Sequence, residues 1–466
     1  MRKTFKKVAA AGLCLAMVAG LAACTGTGSS SSASGASSAT SSAADSSASG
    51  ETGTRTIKIG TWYDIYYDST HADIYADPSV SDEELAQKHF DALKAVEEKY
   101  NVKLEYVNLT YEGIQESINT SILAGKPDCD IYLCAPAFGI PAAVNGYCAN
   151  LEEVLPADAD VLTDQNILST IDIGIEGKHL MTVVAGEAIT VGSYVLAFNK
   201  QMLDDAGLED PNKLYENDEW TWDKFKDYLK ALTKDTDGDG VTDVYGFGTR
   251  YDNLLTGLLF SNGTTIASTN KENVSSKEVG EVLDFIYNMY NVDKTARPWN
   301  ADDWNDNQNS YLNQEVACWV TAAWISDQNK DYDLGFDIIW APWPIGPSGD
   351  KETNATKNGL DANVYMIPTG VKDPELVYNV FSDYLDWYGD DYDLRDEVGE
   401  WWHDRAITED NFQVMYECGL KSTLDLWNSI GVDYQIPSLL DGTMTAAQFQ
   451  ETNKQLVQSA LDAMYN

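Results

Sequence analysis

The chain of 466 residues has little positive charge: 31 Lys and Arg stand against 74 Asp and Glu, a net charge of −43. Phosphate backbones and anionic membrane surfaces repel such a chain, which argues against nucleic acid and acidic lipid as partners. Histidine is scarce too. The four, His71, His89, His179 and His403, show no metal-ligand spacing, and His403 beside Asp404 is a dyad in sequence only. The patterns H-E-x-x-H, G-x-S-x-G and G-x-x-x-x-G-K-[ST] are absent, and with them the metal-assisted, acyl-transfer and phosphate-cradling chemistries they serve. No C-x-x-C spacing occurs among the seven cysteines. Beyond Cys14 and Cys24 near the start, Cys129, Cys134, Cys148, Cys318 and Cys418 form an odd set. A disulfide among the first three and buried free thiols both remain open.

Long apolar runs are missing as well. Val8 to Gly20 is too brief to span a bilayer and follows the basic cluster Arg2, Lys3, Lys6 and Lys7, the order of parts in an export signal over residues 1–23. It ends in Leu21-Ala22-Ala23-Cys24, which resembles a bacterial lipobox and makes Cys24 the expected lipidation site. The rest of 24–54 is almost wholly Ser, Ala, Gly and Thr, a flexible tether reaching about 30 Å as a coil. The expected location is the extracellular face of a cell membrane, with lipid as the only anchor. A tether of this composition suits a Gram-positive surface.

What the chain has in quantity is aromatic surface. With 44% hydrophobic residues, 13 Trp and 26 Tyr, it is folded despite its charge. The roughly four hundred residues from Arg55 onward are too many for one core and enough for two lobes.

The most explicit local pattern is DTDGDGVTDV. Asp235, Asp237 and Asp239 take loop positions 1, 3 and 5 of an oxygen-ligated Ca²⁺ site, Gly240 takes the turn at 6, the Val241 carbonyl position 7, and Asp243 position 9. Position 12, where a sensor loop carries a bidentate Glu, is Gly246. A structural Ca²⁺ is therefore expected, and a calcium switch is not; a solvated Asp/Gly turn is the alternative.

Periodicity supplies the scaffold. Ile57 and Ile59 alternate in TIKIGTW, a strand; a capping box from Ser81 to Glu84 opens a helix with the stripe Leu85, His89, Leu93, Val96 and Tyr100. Val102, Leu104 and Tyr106 alternate, a helix runs from about Tyr111 to Ala124, and Ile131-Tyr132-Leu133 is a third strand. This β-α-β-α-β order predicts an α/β fold with a parallel sheet, its ligand crevice at the strand carboxyl ends. Trp62, Tyr63 and Asp64 fall on one such end and Phe138 on the neighbouring one. Further on, Thr221 caps a helix carrying Trp222, Phe225, Leu229 and Leu232, YGFGT is strand-like, IIWAPWPIGP is a strand running into prolines, and Ala446 to Tyr465 is a closing helix.

Several of these segments together resemble the extracellular solute-binding proteins of sugar-transporting ABC systems, the group that includes the maltose-binding proteins. The ordered set is TIKIGTWYD, GKPDCDIYL, GKHLMTVVAGEAITVGSYVLAFNKQML, WTWDKFKDYLKALTKD with YGF, EVACWVTAAWI and IIWAPWPIGPSG, spanning nearly the whole mature chain. The resemblance implies a two-lobed, type II periplasmic-binding-protein-like fold whose hinge strands let the lobes close on a ligand. It places lobe 1 at 55–188 and 364–402 and lobe 2 at 189–363 and 403–466. Crossings fall near Ala188 to Gly192, near Asp361 to Met366 and after Trp402. It also implies a carbohydrate ligand, a separate ABC permease as partner, a monomer and no catalysis.

Sugar binding needs flat aromatic faces against ring C–H surfaces, and polar groups for the hydroxyls. By that chemistry the candidates are Trp62, Tyr63, Asp64, Phe138, Trp299 and Trp304, the last two in an Asp/Asn-rich loop, with Trp343 after Ala-Pro and Trp402 near the third crossing. The resemblance adds Glu187 at the first crossing and Trp324 as the stacking tryptophan. Trp319 is expected to be buried. Cys134-Ala135-Pro136 departs from the family's usual polar contact, which leaves the sugar unspecified. The competing classes are a secreted glycoside hydrolase, which needs two carboxylates about 5 to 9.5 Å apart, and a calcium-dependent adhesion module. With 74 acidic residues, carboxylate pairs say nothing, and adhesion modules repeat their loop where this chain has one.

Overall fold

The alternation in the first strand is realised as β1 (Arg55–Thr61), with Ile57 and Ile59 fully buried. The other strands are β2 (Val102–Asn108), β3 (Ile131–Cys134), β4 (Leu168–Thr170), β5 (Met181–Val183), β6 (Val195–Asn199), β7 (Ala267–Ser268), β8 (Lys271–Glu272), β9 (Cys318–Thr321), β10 (Ile338–Ala341), β11 (Lys357–Asn358), β12 (Val364–Met366) and β13 (Ser422–Thr423). The computed structural model describes residues 54–71, 73–78, 80, 82–163, 168–183, 194–300, 303, 305–322, 335–355, 357–358, 363–389, 406–419 and 421–465. The expected export signal, Cys24 and tether, the first crossing and the return after Trp402 lie outside them, as do Asp361 and Ala362 of the second crossing.

Two sheets centre two lobes. The first has the order β2-β1-β3-β12-β5-β4. β1 pairs in parallel with β2, Ile59 opposite Tyr106, and with β3, Ile59 opposite Ile131. Parallel neighbours need crossover helices, here Glu83–Tyr100 and Tyr111–Ser117, the latter continuing as one wide turn over Ile118–Ile122. β12 inserts antiparallel between β3 and β5, so a segment from late in the chain completes the sheet of the first lobe. The second sheet, β10-β6-β9, is antiparallel. Its central strand shows period two: Val195 and Ala197 pack with Tyr311, Trp319 and Trp340, while Leu196 and Phe198 face the larger core on the opposite side. Trp319 is buried, as expected.

Some local expectations shift by a residue. Asp82 caps the first helix, accepting from the Glu84 and Leu85 amides at 2.9 and 3.0 Å, and the expected capping residue Ser81 lies outside the described residues. The buried stripe runs through Phe90, Leu93 and Val96. His89 sits at its edge, stacked between Tyr67 and Trp387 with centroids 4.5 and 3.7 Å away, and burial lowers its pKa to about 4. YGFGT makes only single bridges, Tyr245 to Val316 and Phe247 to Ala296, so it is an extended connection and not a strand. Thr221 caps Trp222–Leu232, and the closing helix spans Ala446–Tyr465. Tyr465 Oη donates to the Ile173 carbonyl at 2.8 Å, tying that helix to the first lobe.

The described cysteines are free thiols, four of them buried. Burial pushes the Cys129 and Cys134 thiols up to about 12, so they behave as apolar filler. No helix among the described residues is long and apolar enough to cross a membrane.

Candidate functional site: an aromatic cleft wall and its facing arginine

Because β1, β2 and β3 are parallel, their carboxyl ends open on the same side, and each delivers an aromatic residue there. Trp62 follows β1, Tyr111 opens the helix after β2, and Phe138 lies in the first turn after β3. The three rings touch in series: Trp62 and Tyr111 edge to face at 5.8 Å, Tyr111 and Phe138 tilted at 4.8 Å. Tyr63 adds a fourth ring at 5.9 Å from Trp62. Trp62 and Phe138 are half-buried, whereas Tyr63 and Tyr111 keep 44% and 45% of their surface, so the wall presents aromatic faces outward. Asp64 is exposed beside them and accepts from Asn108 Nδ2 at 2.9 Å, while Asn108 Oδ1 accepts from the Thr110 amide at 3.0 Å. That asparagine ties the loop after β1 to the loop after β2.

Tyr111 is the residue that the sequence reading missed. The rule that selected Trp62 and Phe138, an aromatic just past a parallel strand, applies to it equally. A second mark is backbone strain. Thr110, its N-cap, has φ +67°, a conformation costly for a β-branched residue, and donors and acceptors on both sides hold it there.

The facing wall comes from the second lobe. Arg250 precedes the Tyr251–Ser261 helix, donating to Asp252 through Nε at 3.1 Å and Nη2 at 2.5 Å. Its guanidinium lies 5.8 Å from the centre of the Trp299 ring, and Tyr251 meets Trp299 edge-on at 5.1 Å. Trp299 is half-buried, and its Nε1 is buried without an acceptor. Arg250 is near enough to Tyr111 to act on it electrostatically: burial raises the Tyr111 pKa and the guanidinium works against that rise.

Trp343 does not belong here. It is fully buried, donates from Nε1 to the Tyr194 carbonyl at 3.0 Å, and lies against Gly257, where a Cβ would come within 2.1 Å of the indole. Its place after Ala-Pro puts it behind the helix that begins at Tyr251, where it supports the second wall without facing a ligand. Glu187, Trp304, Trp324 and Trp402 lie outside the described residues. A separate cavity of about 820 Å³ opens at the other end of the same helix, lined among others by Phe260, Thr264, Asn273, Ser276 and Lys421. Its one aromatic, Phe260, is 1% exposed, so it offers no stacking face.

The acidic loop is a closed tip. Lys234 and Val244 pair across its base, and carboxylate oxygens of Asp235, Asp237 and Asp239 lie within 4.8 Å of one another, all exposed. Gly238 and Gly240 amides donate to Asp235, and Gly240 has φ +89°, the turn that position 6 demands. The donor set fits a hard cation. Asp243 differs from the expectation: it stands outside the group of three and accepts from the Thr236 amide and hydroxyl at 2.6 and 2.5 Å. Val241 is exposed on the same tip.

Two sheet-centred lobes with aromatic and polar groups at their strand ends describe a ligand-capturing protein of the periplasmic-binding type. The chain belongs to the bacterial extracellular solute-binding proteins, the family that matches residues 91–379. The fold is similar to that of the GacH receptor of Streptomyces glaucescens, solved unliganded and with acarbose (16% identity, 88% of this chain and 99% of that one, TM-score 0.57). It is likewise similar to the ABC substrate-binding protein Lmo0181 of Listeria monocytogenes in complex with cycloalternan (16%, 88% and 100%, 0.58). The maltose/maltodextrin-binding domain MalE of Bdellovibrio bacteriovorus bound to maltotriose gives 15%, 88% and 99%, and 0.55. No curated protein matches the chain by sequence.

Proposed function

We propose that this solute-binding protein captures a carbohydrate, an oligosaccharide, between its lobes and delivers it to the permease of an ABC importer. The observation that carries this reading is the series of outward-facing rings Trp62, Tyr111 and Phe138 at the strand ends of the first lobe, with the Arg250 and Trp299 pair in the second. Rings of that exposure meet the C–H faces of sugar units, and the adjoining Asp64 and Arg250 meet hydroxyls. The ligand bridges two lobes in an open equilibrium, and the closed form is what the permease reads. Lipid on Cys24 holds the protein at the outer membrane face, monomeric and without catalysis of its own. One Ca²⁺, held by Asp235, Asp237 and Asp239 with the Val241 carbonyl, pins the acidic tip.

The test is a panel of oligosaccharides incubated with the mature chain. A raised melting temperature with the sugar recovered intact supports capture. Shortened products would replace this reading with hydrolysis.

A further inference from the structure

We propose that Thr61 and Asn108 are positioning residues for the first wall, a polar brace that sets Trp62, Tyr63 and Asp64 in their binding geometry before a sugar arrives; this rests on the carbohydrate reading above. Thr61 ends β1 and lies opposite Asn108, which ends β2, in the parallel register. Thr61 is fully buried, so it does not touch a ligand. A buried hydroxyl is costly without a partner, and valine would fill the same strand position without that cost. The partner lies in the bend that follows. Thr61 Oγ1 donates to the Tyr63 carbonyl at 2.8 Å, with the Val107 carbonyl of β2 as a longer acceptor at 3.5 Å. That bond turns the chain two residues past the strand and holds Trp62 between its two ends.

Asn108 is the second arm. The Thr61 carbonyl accepts from the Leu109 amide at 2.8 Å, which keeps the loop after β2 alongside the loop after β1. Asn108 Nδ2 then donates to Asp64 Oδ1 at 2.9 Å, and Asn108 Oδ1 accepts from the Thr110 amide at 3.0 Å. One side chain thus orients the Asp64 carboxylate and holds Thr110 at φ +67° and ψ 166°, a region that glycine occupies and threonine avoids. Tyr111 starts from that residue, so its ring depends on the same clamp. Without the brace both loops would sample other geometries, and a sugar would have to order them as it bound.

The probe is the oligosaccharide of the panel above that raises the wild-type melting temperature most, titrated by calorimetry. Thr61→Val deletes the hydroxyl and keeps the shape, and affinity should fall about fivefold, whereas Thr61→Ser, which keeps the hydroxyl, should bind as wild type does. Asn108→Ala should also lose about fivefold. Combined with Asp64→Ala, the two losses should fall short of additive by about threefold or more, because the amide acts through the carboxylate. Melting curves without sugar show that each variant is folded. Unchanged affinity in Thr61→Val, equal losses in Thr61→Val and Thr61→Ser, or additive losses for Asn108→Ala and Asp64→Ala overturn the inference and leave carbohydrate capture standing. No binding of any panel sugar by the wild type overturns both.

Discussion

The acidic tip and the aromatic cleft are built on opposite principles. All the carboxylates of the tip come from nine consecutive residues, closed by one pairing between Lys234 and Val244. The cleft walls draw Trp62, Tyr111, Phe138, Arg250 and Trp299 from five separate places, the first four at the ends of different strands and helices and the last in a connection. A local device announces itself in a sequence; a distributed one exists only once the sheet has formed. The two are nevertheless close along the chain. The stretch from Val244 to Thr249 leads from the tip to Arg250, and Gly246 within it is packed so closely that a Cβ would lie 2.3 Å from the Leu229 carbonyl oxygen.

The largest effect should come from a tryptophan belonging to neither region. Trp343→Ala removes a fully buried indole from behind the Tyr251–Ser261 helix and should cost about 3–5 kcal/mol of stability in a denaturant titration. Ligand affinity per folded molecule should change less than it does for the cleft residues. If Trp343→Ala instead abolished binding with stability intact, the wall would extend further into the second lobe than its burial indicates.

Removing calcium is next. At free Ca²⁺ about a hundredfold above its dissociation constant, chelation should lower stability by about 2.7 kcal/mol, read as a lower melting temperature. Affinity for sugar should stay nearly constant, because the tip is exposed and the connection to Arg250 is packed against a helix. A large affinity loss in still-folded, calcium-free protein would join the two regions that the geometry separates. Acid should act in the same direction. Thr236 holds the Asp243 pKa below its ordinary value, so that contribution is present above about pH 4 and fades as pH falls through the lower folded value.

In the cleft, Trp62→Ala should weaken sugar binding by about 2 kcal/mol, roughly thirtyfold by calorimetry, with a small change in melting temperature. Trp299→Ala should do the same from the opposite wall. Unequal losses would show which lobe holds the ligand before closure.

The parallel half of the first sheet, β1 to β3, was legible because alternation and helical spacing are written in adjacent residues, whereas its antiparallel half, β12, β5 and β4, is assembled from short, distant segments. The rim followed from parallel pairing, which placed Trp62, Tyr63, Asp64 and Phe138 on one wall. Trp343 was misread because composition ranks tryptophans alike: only Gly257, eighty-six residues earlier, shows that the ring points inward. Arg250 and Asp252 were missed for a related reason. In so acidic a chain an Arg-x-Asp triplet has no signature until a helix start and Trp299 meet around it.

The smallest change is the most direct test of whether the two walls act together. Tyr111→Phe keeps the ring against Trp62 and Phe138 and deletes only the hydroxyl, the group that Arg250 influences from the second lobe. If that hydroxyl bonds ligand or arginine in the closed form, affinity should drop by about 1 kcal/mol, roughly fivefold. The loss should vanish in an Arg250→Ala background if the hydroxyl acts through the arginine, and persist there if it bonds the sugar itself. An unchanged affinity in both backgrounds would make Tyr111 a stacking face only, with no part for its hydroxyl in closure.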